Sequence, residues 1–432
     1  MLINLIIITI FALIVFMAVK TYKIEQPIEI KQIMGQRDAF ERERIAEPFT
    51  LADYKHLYGD NIDFNNQITG SGASIVALEN KAAVRLSVSG NQTGTAIHQS
   101  KKYHHYMPGK SQLILGSFVF YNPTANVYKK IGYFDDDNGI YFQQDPSGKL
   151  TFNIRSNTSG SATVIESVER KNWNNDTFDH LDITKTQLLF FDFQWLGVGR
   201  VRCGFISGDK FVLCHTFYHS NNLDTVFMSN PNLPIRCEIS NTNSPSSAHF
   251  DQICSTVISE GGYKESGRDW SWGTSIPNPI SSGVEESIMA IRLSNRFKDY
   301  HNRMTVRLGN ISLLTTDENV FYKVLRVVDG DSLGTSWHYV DEDNSGVQYN
   351  TNISTAPSIG SSVYQIKAGY VVGGDKHGPG GGIATNNPVT AKQNYIVQNY
   401  DSSNSEAYLI TAKNLGTDIT DVFVSMDWRE IY

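Results

Sequence analysis

The run TQLLFFDFQWLGVGRVRCGFISGDKFVLCHTFYH, residues 186–219, is crowded with aromatic and aliphatic side chains and carries its turn signals inside it. Such runs favour strands joined by tight turns. Ser207-Gly208-Asp209-Lys210 reads as a two-residue hairpin turn, which sets Cys203 directly opposite Cys214 on one face of the ribbon. Counted from the turn they fall on a hydrogen-bonded pair, where side chains stand farther apart than at the alternate pairs. Free thiols are expected, and they suit a reducing compartment. With Cys237 and Cys254 the four cysteines are too few and too scattered for a disulfide scaffold, and none forms a Cys-x-x-Cys knuckle.

The same rhythm extends both ways. Upstream lie SQLILGSFVFY, KIGYFDDDNGIYFQQD and KLTFNIRS; downstream lie PIRCEIS and, from Val320 on, FYKVLRVVDG, SSVYQIKAGYVVGG, SEAYLITAKNLG and TDVFVSMDW. Strands about ten residues apart are the spacing of a sandwich. The Gly-, Pro- and Ser-rich stretch 261–283 reads as a connector or a long excursion of the first domain, and MAIRLSNRF and MTVRLGNISLL as strands closing it. A chain of 432 residues exceeds what one core usually serves. The expected fold is therefore all-β: two β-sandwich (jelly-roll-like) domains at 61–318 and 319–432, preceded by a transmembrane helix at 1–19 and a stalk at 20–60.

Residues 1–19, MLINLIIITIFALIVFMAV, carry no charged side chain. At ~1.5 Å per residue the run spans the ~30 Å hydrocarbon core of a bilayer. No Lys or Arg precedes it and Ala18-Val19-Lys20 is a poor cleavage site, so an uncleaved anchor is favoured over a signal peptide. Lys20 and Lys23 follow the span, which places the body on the cytoplasmic side. Five Asn-x-Ser/Thr triplets, at Asn91, Asn157, Asn175, Asn310 and Asn352, are what chance supplies in so Asn-, Ser- and Thr-rich a chain.

The net charge of -7 gives no field to hold a polyanion, and no basic stripe interleaved with aromatics occurs, which argues against a nucleic-acid partner. No Gly-x-Ser-x-Gly, Walker loop or His-Glu-x-x-His is present, so no catalytic residue, cofactor, metal or small-molecule substrate is assigned. Asp135-Asp136-Asp137-Asn138-Gly139 reads first as a type I′ turn and only then as a calcium loop. Asp341 to Gly346 opens like an EF-hand loop but has Asn352 at the twelfth position. His215 and His219 share a strand face without an evident third ligand. Gly378 to Gly382 is a flexible loop. Two patches stand as possible partner or glycan contacts: His104 and His105 in a basic aromatic surface loop, and Trp270 and Trp272 beside Arg268 in GRDWSWG, where paired indoles fit a sugar, a partner's pocket or local packing.

Residues 106–239 resemble a segment of virion structural proteins of large DNA viruses and some large tailed phages. The likeness is carried by Pro108-Gly109-Lys110-Ser111, Ile131-Gly132-Tyr133-Phe134-Asp135, Asn138-Gly139-Ile140-Tyr141-Phe142, Asp182 to Gln187, Trp195 to Arg202 and Ser229 to Pro234. It covers under a third of the chain and marks no active residue. Combined with the anchor, the resemblance implies a non-catalytic minor capsid protein set in a viral internal membrane through residues 1–19, with the major capsid protein and other minor capsid proteins as partners. The alternative is a carbohydrate-binding or host-attachment β-sandwich protein on a particle or cell surface.

Overall fold

A computed structural model describes residues 37–42, 47–59, 61–353, 357–360, 362–374, 383–384, 395–399 and 403–432. Their strands form two sandwiches. In the first, sheet I has eight strands: Lys210–Phe217, Val201–Ser207, Gln187–Phe193, Ser111–Val119, Ala248–Glu260, Ala83–Val88 and Ala73–Leu78 in that order, with Phe49–Lys55 also paired to Ala248–Glu260. Sheet II has seven: Thr163–Glu169, Leu150–Ser156, Gly139–Gln144, Val127–Phe134, Ile235–Thr242, Thr93–Ser100 and Phe64–Thr69. Period-two alternation aims Ile114, Phe118, Phe191, Phe205, Phe142 and Phe152 into one core between the two sheets.

The second sandwich has two six-stranded sheets. In sheet III, Arg268–Gly273, Thr420–Ile431, Thr305–Thr315 and Ile383–Ala384 lie in order, joined by Asn278–Ile280 and Tyr395–Ile396. Sheet IV runs His338–Tyr339, Val347–Asn350, Glu285–Leu293, Ala407–Asn414, Val320–Val327 and Val363–Val371. Its core is aliphatic, with Ile291, Val306, Val324, Ile410, Val424 and Met426 packed around Trp428.

The fold is all-β with sandwich architecture, as the strand rhythm predicts, but four expectations shift. The strands from Arg268 onward pair only with one another, so the sheets change hands at residues 261–267 and not at 318/319. Strands read as closing the first sandwich build the second instead. The stalk at 20–60 is cut short, because Phe49–Lys55 is already a strand of sheet I and Asp38 and Ala39 are buried against it. At the Ser207–Lys210 turn the pairing is as expected, yet a bulge after Cys203 sets that residue opposite His215 rather than Cys214. All four thiols are free. Phe134 pairs with Gly139, so Asp135 to Asn138 form a four-residue loop and not a two-residue type I′ turn.

Among the described residues no helix is long and apolar enough to cross a membrane. The anchor expected at 1–19 lies outside the described residues.

The sandwiches meet through a buried ionic bridge. Glu406 takes Lys101 Nζ at 2.9 Å on one oxygen and Arg326 Nη2 at 2.7 Å on the other, and Asp63 stands 3.9 Å from Arg326. Lys101 and Asp63 belong to the first sandwich, Arg326 and Glu406 to the second. A charge buried here without its counter-charge carries a large desolvation penalty, so the three groups hold the junction together.

Candidate functional site

The open face of sheet III carries a groove of about 460 Å³, lined by Asp269, Trp270, Ser271, Arg307, Gly309, Asn310, Asp427, Trp428 and Arg429. Alternation builds it. Along Thr420–Ile431 the residues Val422, Val424, Met426 and Trp428 face the core, which leaves Asp427 and Arg429 outward. Arg268–Gly273 pairs beside it with Trp270 against Trp428, Asp269 against Arg429 and Ser271 against Asp427. On the other flank a bulge between Leu308 and Ile311 presents both Gly309 and Asn310 to the groove.

The polar groups of the groove are held in fixed pairs. Arg429 grips Asp269 with Nε on Oδ1 at 2.7 Å and Nη2 on Oδ2 at 2.6 Å. This hydrogen bonding holds the Asp269 carboxyl below its ordinary range. Arg307 pairs with Glu265 at 2.6 Å, and Asn310 Nδ2 donates to Asp427 at 3.4 Å. The indole Nε1 of Trp270 is buried without a hydrogen-bond partner. Ser271 and Gly309 keep the walls low, so backbone is within reach of anything in the groove.

The sequence-predicted contacts are divided between the two sandwiches. Trp270 and Trp272 pack against the second core rather than standing out as a pair, and Trp272 stacks on Tyr349 with ring centroids 4.0 Å apart. Arg268 is exposed, 5.9 Å from the Tyr432 ring. His104 is not on a surface loop at all. It is fully buried, with Nδ1 2.9 Å from the Leu233 carbonyl and Nε2 3.0 Å from the Tyr54 hydroxyl. The carbonyl requires the proton on Nδ1, so the Tyr54 hydroxyl donates to Nε2. Burial, aided by the Lys102 charge, lowers its pKa to about 3. His105 is half-buried, with Nε2 2.8 Å from Ser266 Oγ.

The other motifs close on themselves. Asp135 Oδ1 accepts the amides of Asp137 and Asn138, and Asp341 Oδ1 those of Asp343 and Asn344. His219 bonds Glu166 at 2.8 Å while His215 faces the Asn174 amide, so the two histidines do not converge. Residues 378–382 lie outside the described residues. On the outer face of sheet II, Glu238 binds Lys130 at 2.7 Å and Arg236 at 2.8 Å, and Arg236 reaches Asp136. Burial raises the Glu238 pKa, but the two cations outweigh it and hold the group down to about 2. That network is packing, whereas the sheet III groove is open.

Arg307, Asp427 and Arg429 were not singled out by sequence reasoning, and Asn310 entered it only as one of the five Asn-x-Ser/Thr triplets. The signal that could have found them is the polar half of the alternation in MDWRE, which identifies an exposed face but not the strand that lies next to it.

No family model matches the chain, and no curated protein matches it. Solved structures that resemble it include a GH16 of the Bacteroides ovatus mixed-linkage glucan locus, at 10% identity and TM-score 0.34 over 48% of this chain and 99% of that one. The CBM2 module of the Dit protein of Lactobacillus casei BL23 phage J-1 aligns at 7% identity and TM-score 0.34 over 50% and 99%. The carbohydrate recognition domain of Emp47p aligns at 11% and 0.30 over 49% and 96%. Likenesses at this level assign no activity.

Proposed function

We propose that the chain is a non-catalytic carbohydrate-binding protein of the attachment type, with its sugar site in the sheet III groove. The observation that carries this reading is the groove itself: carboxylate, amide and guanidinium groups fixed on neighbouring strands of one open face. Sugar hydroxyls donate and accept at once, and a rigid row of mixed donors and acceptors matches them with little ordering left to do on binding. Arg307 and Arg429 each already face a carboxylate, which favours a neutral sugar over an acidic one. Glycoside hydrolysis needs one carboxyl kept protonated as the acid. Asp269 is held in the opposite state.

The test is a glycan array probed with the detergent-solubilised full chain, repeated with Arg307→Ala and Asn310→Ala. A saturable neutral oligosaccharide lost in both variants supports the reading; an array without a saturable signal overturns it.

A virion structural role is the second reading. Besides the resemblance, it is favoured by Val372, Leu415 and Ile419, which are 68%, 49% and 63% exposed around Glu318 and Asn319. This is the end of the second sandwich opposite the ionic bridge, where a protein contact would be built. Cross-links from this tip to a capsid protein in purified particles would favour that role, and its absence from particles would remove it.

A further inference from the structure

At the end of the second sandwich opposite the ionic bridge, strand ends from both of its sheets meet in four short segments, residues 281–284, 316–319, 372–373 and 415–419. Turns favour Gly, Asn, Asp and Ser, whose backbone freedom or short polar side chains suit the bend, and an apolar side chain at such a place adds nothing to either core. Yet Val284, Val372, Leu415 and Ile419 all stand exposed in these segments. A single exposed aliphatic residue needs no explanation, but four on adjoining segments form a patch.

The patch is held on a fixed frame. Asn319 accepts the Leu415 amide on its carbonyl at 2.9 Å and the Gly373 amide on its side-chain oxygen at 2.9 Å. The Asn414 amide donates to the Val284 carbonyl at 3.1 Å, and its Nδ2 donates to the carbonyls of Ile280 at 2.9 Å and Asp418 at 2.7 Å. Glu318 Oε1 accepts the Asp418 amide at 3.2 Å. A partner would therefore meet loops already ordered, which removes much of the entropic cost of docking. The charge around the aliphatic groups has one sign. Asp317, Glu318 and Asp418 belong to these segments, and among their described residues there is no Lys or Arg. Lys413, just inside the tip, is set across from Glu285.

We propose that this tip is the docking face for a second protein whose contact surface is an apolar pocket rimmed by Lys and Arg. Val372, Leu415 and Ile419 fill the pocket, while the three acids steer the rim and fix its orientation. A second copy of this chain is a poor occupant, because a two-fold contact sets Asp317, Glu318 and Asp418 against themselves. An anionic bilayer meets the same repulsion. The inference does not rest on the sugar groove, which lies on the open face of sheet III, and it holds whether or not the partner is a capsid protein.

The test selects a phage-displayed random dodecapeptide library on the full chain in detergent. The enriched peptides are expected to combine Lys or Arg with Leu, Ile, Phe or Trp, and to lose affinity at least tenfold when salt is raised from about 50 to about 500 mM. Leu415→Ser/Ile419→Ser and the isosteric Asp317→Asn/Asp418→Asn should each weaken them at least tenfold with thermal unfolding unchanged, whereas Arg307→Ala in the groove should leave them as tightly bound as the parent does. Peptides without net positive charge, peptides that bind both tip variants like the parent, or a selection without a specific peptide would overturn the proposal. So would self-association of the chain, or binding to phosphatidylcholine vesicles, that Leu415→Ser/Ile419→Ser abolishes, since each assigns the tip to another occupant.

Discussion

The first sandwich buries aromatic rings and histidines, while the second buries a mainly aliphatic core and, besides the buried Glu430 and the Arg326–Glu406 pair, displays charges on an open face. In the first, Phe120 and Phe142 stack in parallel at 5.7 Å, Phe142 meets Phe152 and Phe205 at 5.3 Å, and Phe152 lies 4.7 Å from Trp173. At one margin of this core His56, His98 and His104 are buried, with His98 stacked on Phe64 at 4.2 Å. In the second, the charged side chains Asp269, Arg307, Asp427 and Arg429 line the groove over a floor that includes Trp428. The difference separates two jobs. Groups sealed inside the first sandwich govern when it is stable; groups displayed on the second are available to a ligand.

The largest expected effect sharpens the contrast in cores. Phe142→Ala removes a ring touched by four others, and should destabilise by about 3–5 kcal/mol. In calorimetry the first sandwich's transition should fall by roughly 10 °C, and that of the second should stay in place.

Acid should separate the sandwiches next. Burial, with the nearby His56 adding to it, lowers the His98 pKa well below the ordinary value; burial and then Lys102 bring His104 to about 3. Both are neutral when folded and take up a proton when unfolded, so their contribution is fully present above about pH 6.5 and is lost as pH falls below it, for His104 down to about 3. Each contributes a loss of up to about 1.4 kcal/mol per pH unit in that window. Urea unfolding at pH 7 and pH 5 should show the first sandwich weakened far more than the second, and His98→Phe should flatten its pH dependence. A parallel loss in both sandwiches would break the comparison.

Smaller still is Glu406→Gln at the junction. It keeps the shape but leaves Lys101 and Arg326 facing a neutral amide, with an expected loss of roughly 1–3 kcal/mol. The two unfolding transitions should draw apart, read by limited proteolysis within residues 261–267. Asp269→Ala is the smallest change in stability. Its partner Arg429 and the carboxylate are both solvent-accessible, so stability should stay within about 0.5 kcal/mol, while sugar binding weakens at least tenfold.

The strand rhythm and the Ser207–Lys210 hairpin were legible in the sequence because both are local. What was missed depends on partners far along the chain. GRDWSWG looks like a connector by composition, yet its indoles alternate with Asp269 and Ser271 at the period of a strand, and only pairing with Thr420–Ile431, some 160 residues later, makes it one. The division between sandwiches was misplaced for the same reason. His104 read as a surface residue because its neighbours Lys101 and Lys102 are charged; the burial comes from Tyr54 and Leu233, distant in sequence. Of the candidate site, Trp270 was found, and of the three roles open to it, sugar contact, partner pocket or local packing, its ring takes the packing against the second core, while the charged groups of the groove lie on the residues beside it.

The central claim is that sheet III of the second sandwich holds the ligand. Hydroxyl-radical footprinting of the full chain, with and without the oligosaccharide selected on a glycan array, tests it most directly. The account predicts protection concentrated in Arg268–Gly273, Thr305–Thr315 and Thr420–Ile431, and its loss in Asp269→Ala. Protection on the first sandwich, or a saturating oligosaccharide that leaves those three strands unprotected, would contradict it.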